Sequence, residues 1–243
     1  MIQIEHLTKR YGAFTAVDDI SLEVKQGEVF AFLGPNGSGK TTTMKSIVGL
    51  NVPTLGRVLV NGIDVHKHPK QARTFLSYLP QRVVFPDNLT ARELIRFYGK
   101  MRGLAKGEAD EVLAAAKFNG FSDKIVGEFS GGMIQRLGLA VVSMPETPIL
   151  LLDEPTANLD PMGVKRFREF VLEQKARGKT VIFSTHLLAE AEQLADRVAI
   201  FVGGRIAAVE TIDNLRESFL KTGTIEDMYL HYVGSSEDEK TRA

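Results

Sequence analysis

The chain has 243 residues, of which 44% are hydrophobic and 25% charged, a composition that fits a folded globular chain and excludes a disordered or collagen-like one. Thirty Lys and Arg balance thirty Asp and Glu, so no basic excess favours binding to nucleic acid. The absence of Cys excludes disulfides and thiolate metal sites and favours a reducing compartment such as the cytoplasm. The start lacks the apolar core of a secretion signal and no segment has the apolar length that crosses a bilayer, so any membrane role is expected to come through a partner.

Strand patterns dominate the first part of the chain. Apolar alternation predicts strands over residues 2–7 and 20–24, and residues 56–65 predict a hairpin that turns at Asn61-Gly62. Three denser apolar runs predict strands that are buried on both faces, as in a parallel sheet between helices. These runs are residues 29–33, 149–152 and 180–184.

A helical stretch is predicted between the first and second buried strands, over roughly residues 85–147. Thr90 and Glu93 have the spacing of a capping box ahead of an apolar helix. Helix-forming residues continue over residues 108–118. We interpret this stretch as a helical subdomain inserted into an α/β core.

The last part of the chain predicts a second hairpin and a frayed end. Residues 197–202 and 205–209 flank Gly203-Gly204, a pair that is compatible with a tight turn. Residues 235–243 are polar and charged, which is typical of a disordered tail. The expected organisation is one domain over residues 1–234, with residues 1–84 and 148–215 as the α/β core with its β subdomain, 85–147 as the helical subdomain and 216–234 as a C-terminal helical extension.

A phosphate-binding loop, the P-loop, is predicted at residues 34–41. Their sequence, Gly-Pro-Asn-Gly-Ser-Gly-Lys-Thr, satisfies G-x-x-x-x-G-K-[ST] between the first buried strand and a helix over residues 41–50. Lys40 is expected to reach the β- and γ-phosphates, Thr41 to offer a hydroxyl to Mg²⁺ and Thr42 to add a contact. The predicted nucleotide-binding positions are Asn36, Gly37, Ser38, Gly39, Lys40, Thr41 and Thr42. The motif alone leaves a GTPase, a kinase, a helicase and a transport ATPase open, although no Asn-Lys-x-Asp element for guanine is present.

Two carboxylates follow the second buried strand. Asp153 and Glu154 come directly after the apolar run 149–152, at the edge where an open parallel sheet binds its ligands. Asp153 is suited to the shell of a Mg²⁺ ion, and Glu154 to polarising a water in line with the γ-phosphate. Together with the P-loop, this pair predicts nucleotide hydrolysis.

The segment Phe-Ser-Gly-Gly-Met at residues 129–133, followed by Gln-Arg-Leu, resembles the signature of the ATP-binding cassette (ABC) ATPases. The family pattern is Leu-Ser-Gly-Gly-Gln, from which this chain departs at Phe129 and Met133. Ser130 begins a predicted helix whose N-terminus forms a second anion site. The resemblance implies that Ser130, Gly131 and Gly132 face the ATP bound by an opposite subunit.

Five further positions follow the order of that family. Tyr11 resembles the aromatic residue that stacks on adenine, and Val17 would flank the base. Gln81 resembles the residue that touches Mg²⁺ and signals to the helical insert. Asp160, at the end of Ala-Asn-Leu-Asp, resembles part of the loop that crosses the dimer interface, and His186 resembles the switch histidine that hydrogen-bonds the γ-phosphate.

The resemblance covers residues 2–234 and implies both a fold and a reaction. The fold is α/β, a P-loop NTPase core with a mainly parallel sheet, an N-terminal antiparallel β subdomain and an inserted α-helical subdomain. The reaction is ATP hydrolysis with ATP and Mg²⁺ bound. The expected catalytic residues are Lys40, Gln81, Glu154 and His186, and the expected metal ligands are Thr41, Gln81 and Asp153.

The resemblance also implies a nucleotide-driven clamp. Two subunits would meet head to tail with each ATP between them, so that ATP favours closure and hydrolysis allows opening. With a single set of motifs, the chain is expected to be the separate ATP-binding subunit of a membrane transporter. Its expected partners are integral membrane permease subunits and a second copy or a paralogous ABC subunit, with no nucleic acid. Its expected location is the cytoplasm, at the inner face of the cell membrane through its permease.

Two alternatives stay open. An ABC ATPase that acts on ribosomes or DNA usually carries two cassettes, long coiled coils or basic extensions, none of which is present. Within transporters, residues 129–133, 184–190 and 224–229 resemble an exporter-type group, whose members serve drug or lipid export or the maturation of copper enzymes such as nitrous oxide reductase. No residue of these motifs contacts cargo, so the cargo is not predicted.

Overall fold

The computed structural model describes residues 1–104, 106–116, 118, 120–144, 146–157 and 159–219. Their elements in chain order are β1 (Ile2–Tyr11), β2 (Phe14–Val24), β3 (Val29–Leu33), α1 (Lys40–Ile47), β4 (Leu55–Val60), β5 (Ile63–Asp64), α2 (Pro69–Arg73), β6 (Leu76–Leu79), α3 (Ala91–Met101), α4 (Lys106–Ala115), a 3₁₀ turn (Val126–Glu128), α5 (Gly131–Ser143), β7 (Ile149–Leu152), α6 (Pro161–Ala176), β8 (Thr180–Thr185), α7 (Leu188–Leu194), β9 (Arg197–Val202), β10 (Arg205–Thr211) and α8 (Ile212–Phe219). None of the helices in this part of the chain combines the length and the apolar character needed to span a bilayer.

The strands form two sheets. The smaller sheet is antiparallel with the order β2-β1-β4-β5, and the larger has the order β10-β9-β3-β8-β7-β6. In the larger sheet β9, β3, β8, β7 and β6 pair in parallel, and only β10 runs antiparallel to its neighbour among the described strands. The predicted α/β fold with an antiparallel N-terminal sheet and a mainly parallel central sheet is confirmed. The carboxyl ends of β3, β8, β7 and β6 therefore meet at one edge of the larger sheet.

Strand β3 shows why the central strands are mainly apolar. Phe30 and Phe32 belong to the core shared with β1, β2, β4 and α1, between the two sheets. Val29, Ala31 and Leu33 belong to the core beneath α6, α7 and α8 on the opposite face. Because successive side chains of a strand point to opposite faces, a strand covered on both sides favours apolar residues at successive positions.

Both predicted tight hairpins are present. Asn61 and Gly62 turn β4 into β5 with φ of 50° and 77°, and Gly203 and Gly204 turn β9 into β10 with φ of 56° and 86°. Two successive positive φ angles are the requirement of a type I′ turn, which Asn and Gly meet at little cost.

The first two strands are longer than predicted. β1 continues to Tyr11 and β2 begins at Phe14, with register shifts along their pairing. His6 and Asp19 have positive φ of 50° and 49°. Such irregularities interrupt the two-residue alternation, so only the regular part of each strand was recognisable in the sequence.

The helical insert has its own apolar core, formed by α3, α4 and α5. Thr90 caps α3 in the predicted capping box, with its side chain accepting from the Glu93 N–H and the Glu93 carboxylate accepting from the Thr90 N–H. The exact bounds 85–147 of this subdomain stay a prediction. Of the predicted C-terminal extension, α8 reaches Phe219, while residues 220–234 and the predicted tail 235–243 lie outside the described residues.

Candidate nucleotide-binding and catalytic site

The P-loop connects β3 to α1, and two of its glycines are required by their surroundings. A Cβ on Gly34 would overlap the carbonyl oxygen of Phe201 on β9. Gly39 has φ of 105°, and a Cβ there would lie 2.9 Å from the carbonyl oxygen of Ala16. The loop is therefore pressed against backbone on both sides, which holds its N–H groups in a fixed arrangement.

Lys40 begins α1 and its side chain turns back into the loop. Its Nζ donates hydrogen bonds to the carbonyl oxygens of Gly34 at 2.7 Å and Pro35 at 2.9 Å. Burial lowers the pKa of Lys40, and the nearby carboxylates of Glu154 and Asp153 partly offset this effect. The Glu154 carboxylate lies 3.8 Å from Nζ. A buried cation in a loop of convergent N–H groups is suited to a polyphosphate anion.

Ser38 adds a polar atom to the same loop. Its Oγ is buried and has no hydrogen-bond partner among the described residues. Buried polar atoms are normally paired, and a phosphate oxygen at the P-loop would pair this one.

Asp153 follows β7 and is fully buried. Its Oδ1 accepts hydrogen bonds from Thr41 Oγ1 at 3.0 Å and from Ser184 Oγ at 2.7 Å. Its Oδ2 accepts from the Tyr78 hydroxyl at 3.3 Å. Burial, followed by the charge of Asp153, raises the pKa of Tyr78, which keeps the phenol protonated as a donor. The structure thus brings Thr41 and Asp153 together, as the sequence predicts. It also places Ser184 and Tyr78 at Asp153, two contacts that the sequence did not predict.

Glu154 turns into the same cleft. It has a positive φ of 43°, and its N–H donates to Ser184 Oγ at 2.8 Å. Gln81 Nε2 donates to Glu154 Oε2 at 3.0 Å, and His186 Nδ1 lies 4.0 Å from the same oxygen. A left-handed backbone at a residue other than Gly or Asn is strained, and such strain is concentrated at functional sites. Gln81, Glu154 and His186, which are far apart in sequence, are neighbours here.

A cleft of about 250 Å³ lies over these groups. Its lining residues are Phe14, Ala16, Asn36, Gly37, Ser38, Gly39, Lys40, Thr41, Thr42, Gln81 and Glu154. On the β1–β2 hairpin this lining consists of Phe14 and Ala16 rather than the predicted Tyr11 and Val17. The Tyr11 ring lies under Lys9 Nζ at 4.9 Å from its centre, and Val17 is fully buried behind the P-loop. Contact of Tyr11 and Val17 with a base stays a prediction.

The three residues of the predicted second anion site lie outside the cleft, at the start of α5. Ser130 is the N-cap of α5 and accepts from the Met133 N–H at 3.3 Å. Ser130 and Gly131 are exposed, Gly132 is half-buried, and none of the three lines the cleft. Asp160 is likewise exposed and caps α6 through the Gly163 N–H at 2.6 Å.

Helix α5 is nevertheless tied to the strand end that carries Glu154. Gln135 Nε2 donates to the carbonyl oxygen of Pro155 at 2.9 Å from a buried position. Gly138 on the same helix faces Leu79 and Val83, leaving no room for a larger side chain. Helix α5, which begins at the exposed signature residues, is therefore hydrogen-bonded to the segment that carries Glu154.

A family model described as "ABC transporter" matches residues 17–157, more than half of the chain. The chain belongs to this ABC transporter family. A second model, described as "AAA domain, putative AbiEii toxin, Type IV TA system", matches the shorter stretch of residues 125–191.

Relatives and solved structures agree with this assignment. The bacitracin transport ATP-binding protein BcrA of Bacillus licheniformis is 39% identical over 219 residues, which are 89% of this chain and 72% of BcrA. A structure titled "Structure of ATP binding subunit of ABC transporter" has a TM-score of 0.86 at 31% identity, covering 96% of this chain and 99% of the other. The post-hydrolysis dimer of the ATP-binding cassette MJ0796 bound to ADP and Pi has a TM-score of 0.78 at 27% identity, covering 87% and 99%. This ABC protein is an ATP-binding subunit and an ATP hydrolase.

Sequence reasoning missed several polar residues of this ABC ATPase. Ser184 lies in the predicted buried strand 180–184, Tyr78 lies in β6, for which no strand was predicted, and Glu190 lies in α7, for which no helix was predicted. One signal was available, because a polar side chain inside a strand that is otherwise apolar needs a partner at the end of a neighbouring strand. The order of the strands, which decides the partner, could not be predicted from the sequence pattern.

Proposed function

We propose that this ABC ATPase is the motor of an exporter-type transporter and hydrolyses ATP in sites shared between two subunits. The observation that carries the proposal is the convergence of Lys40, Asp153, Glu154 and Gln81 at one cleft, while the Ser130 start of α5 faces outward. One chain has two features that suit phosphate, and they cannot serve the same nucleotide within that chain.

The donor set of the cleft fits Mg²⁺. Thr41 Oγ1 and Asp153 Oδ1 are 3.0 Å apart, and the Gln81 side chain lies beside them at Glu154. Hydroxyl, carboxylate and amide oxygens are the hard ligands that Mg²⁺ prefers, and Mg²⁺ usually keeps several waters besides one or two carboxylates. Thr41, Asp153 and Gln81 would hold the ion, which supplies charge compensation to the β- and γ-phosphates when bound.

Glu154 is the general base in this proposal. A water oxygen attacks the γ-phosphorus while the Glu154 carboxylate accepts the water proton. The bond between the γ-phosphorus and the bridging oxygen breaks, and ADP leaves with that electron pair. Gln81 holds Glu154 Oε2, and Glu154 Oε1 lies 3.8 Å from Lys40 Nζ. Lys40 and His186 stabilise the γ-phosphate oxygens from either side of this carboxylate.

The partner subunit completes the site through its own signature helix. The N-terminus of α5 carries a partial positive charge and a Ser130 hydroxyl, and it suits the exposed side of a γ-phosphate. Asp160, at the exposed start of α6, lies on the loop proposed to cross the interface. ATP therefore favours a closed head-to-tail dimer and hydrolysis favours its opening. The similarity of this chain to the ATP-binding cassette MJ0796, whose ADP-bound structure is a dimer, supports this arrangement.

The work of closure passes to membrane permease subunits, which place this chain at the cytoplasmic face of the membrane. The likeness to a bacitracin transport subunit supports export of a drug-like molecule. The balanced charge of the chain gives no support to the alternative of an ABC ATPase on ribosomes or DNA. Co-purification with a co-expressed permease, rather than co-sedimentation with ribosomes or DNA, tests this part.

Glu154→Gln tests the catalytic part. The change keeps the shape of the side chain but removes the base, so we expect ATP affinity to be retained and the hydrolysis rate to fall by roughly a hundredfold or more. Glu169→Gln, an exposed change on α6, is the matched control and should hydrolyse ATP like the wild type. A wild-type hydrolysis rate in Glu154→Gln would contradict the proposal.

A further inference from the structure

Helix α7 carries a buried carboxylate that the mechanism above does not use. Glu190 is 4% exposed, and its Oε2 accepts two hydrogen bonds, from Thr156 Oγ1 at 2.9 Å and from Thr185 Oγ1 at 2.8 Å. Thr156 and Thr185 are themselves buried. A buried carboxylate is costly unless it is hydrogen-bonded, so the site is built around this interaction.

The two threonines belong to the two segments that carry the catalytic groups. Thr156 lies two residues after Glu154, beyond the end of β7. Thr185 ends β8 and precedes His186 directly. Glu190 therefore joins the segment of Glu154 to the segment of His186.

The hydrogen-bond directions fix the backbone on both sides of His186. The single hydroxyl proton of Thr185 is donated to Glu190, so its lone pairs are free to accept the Leu187 N–H at 3.0 Å. Residues 185 and 187 are thus held by one hydroxyl, and His186 lies between them.

A helix-capping role does not account for this arrangement. Leu187 is the N-cap of α7 and Glu190 is the third helical position, from which a Glu normally reaches back to the N-cap N–H. Here Thr185 takes that N–H instead, and the Glu190 carboxylate bonds the two threonines.

We propose that Glu190 is a positioning residue for ATP hydrolysis, which holds His186 at a fixed distance from Glu154 by bonding Thr185 and Thr156 together. The inference rests on the roles proposed above for His186 and Glu154. It predicts that loss of the Glu190 bridge affects the catalytic step, because the P-loop that binds the nucleotide does not touch it.

Glu190→Ala tests the proposal in steady-state ATP hydrolysis by the full chain. We expect kcat to fall by roughly 10- to 100-fold, the scale of a misplaced catalytic group, with KM for ATP changed by less than about twofold. Glu190→Gln keeps a carbonyl oxygen that can accept both hydroxyls, and should recover most of the lost kcat. Gln193→Ala, an exposed change on the same helix, is the control and should behave like the wild type.

A double-mutant cycle separates positioning from a general loss of structure. If Glu190 acts through His186, then Glu190→Ala in a His186→Ala background should lower kcat by less than about threefold further. An undiminished further loss would show a structural role and overturn the inference. Thr185→Val removes one arm of the bridge in case Glu190→Ala does not fold, and should lower kcat with little change in KM; a wild-type kcat in that variant would also overturn the inference.

Failure of this inference is distinguishable from failure of the proposed function. A wild-type kcat for Glu190→Ala beside a strongly impaired His186→Ala overturns the role of Glu190 alone. A wild-type kcat for His186→Ala overturns the role proposed for His186 and the inference with it.

Discussion

Phe14→Ala tests which aromatic residue of the β1–β2 hairpin supports the nucleotide base. Phe14 is 64% exposed and lines the cleft beside the P-loop, while Tyr11 is 48% exposed and does not line it. An aromatic side chain that is exposed at the mouth of a phosphate-binding cleft contributes little to the free energy of unfolding but offers a face on which a base can stack.

The magnitude follows from the stacking energy. Base stacking on an aromatic side chain contributes about 1–3 kcal/mol, so Phe14→Ala should raise the Kd for ATP by roughly 5- to 150-fold. Because Phe14 is expected to contact the base and not the phosphates, the affinity for inorganic triphosphate should be unchanged. Tyr11→Ala, the matched control on the same hairpin, should change the Kd for ATP by less than about twofold.

Calorimetric titration in the Glu154→Gln background, where hydrolysis is blocked, measures both affinities. Weaker ATP binding in Tyr11→Ala together with unchanged binding in Phe14→Ala would refute the reasoning and support the sequence-based assignment of Tyr11. Equal losses for ATP and triphosphate in Phe14→Ala would also refute it, since they would indicate a distorted P-loop rather than a lost stacking face.

Two further changes test the dimer and the P-loop backbone. Ser130→Arg should leave ATP binding by the single chain intact but prevent the ATP-induced dimer, because a bulky side chain would fill the outward-facing start of α5; normal ATP-dependent dimers in light scattering would contradict the shared site. Gly34→Ala should lower the free energy of unfolding by about 1–3 kcal/mol or more in urea denaturation, because its Cβ would overlap the Phe201 carbonyl oxygen. Its control is Gly107→Ala, in an open position of α4, which should raise the free energy of unfolding by about 0.5–1 kcal/mol; equal stabilities of the two variants would contradict the steric argument.

Features that depend on neighbours in sequence were predictable. The P-loop is one continuous segment, and its glycines, lysine and threonine identify it without reference to the rest of the chain. The Asn61-Gly62 turn and the Thr90–Glu93 capping box are present as predicted, because each is decided within a few residues. The order of these motifs, with the Ser-Gly-Gly segment, was sufficient to indicate the family that the comparisons show.

Strand β6 could not be predicted from its own residues. Its sequence, Leu-Ser-Tyr-Leu, is short and half polar, and nothing in it distinguishes an edge strand of the larger sheet from a loop. In the structure Ser77 bonds Thr147 and Tyr78 bonds Asp153, so the polar side chains are satisfied by groups more than sixty residues away. The stabilisation of β6 comes from its place beside β7, which the strand itself does not encode.

The sequence by itself determined the chemistry of this protein, since the residue types that suit phosphate, Mg²⁺ and a polarised water are present in recognisable segments. The tertiary structure decided which side chains meet: Ser184 and Tyr78 at Asp153, Gln81 at Glu154, Glu190 between Thr156 and Thr185, and Phe14 beside the P-loop. The physical reason is that motifs and turns depend on contacts within a few residues. The contacts of the site depend instead on the order of the strands in the sheet and the register of the β1–β2 hairpin, which follow from packing over the whole chain.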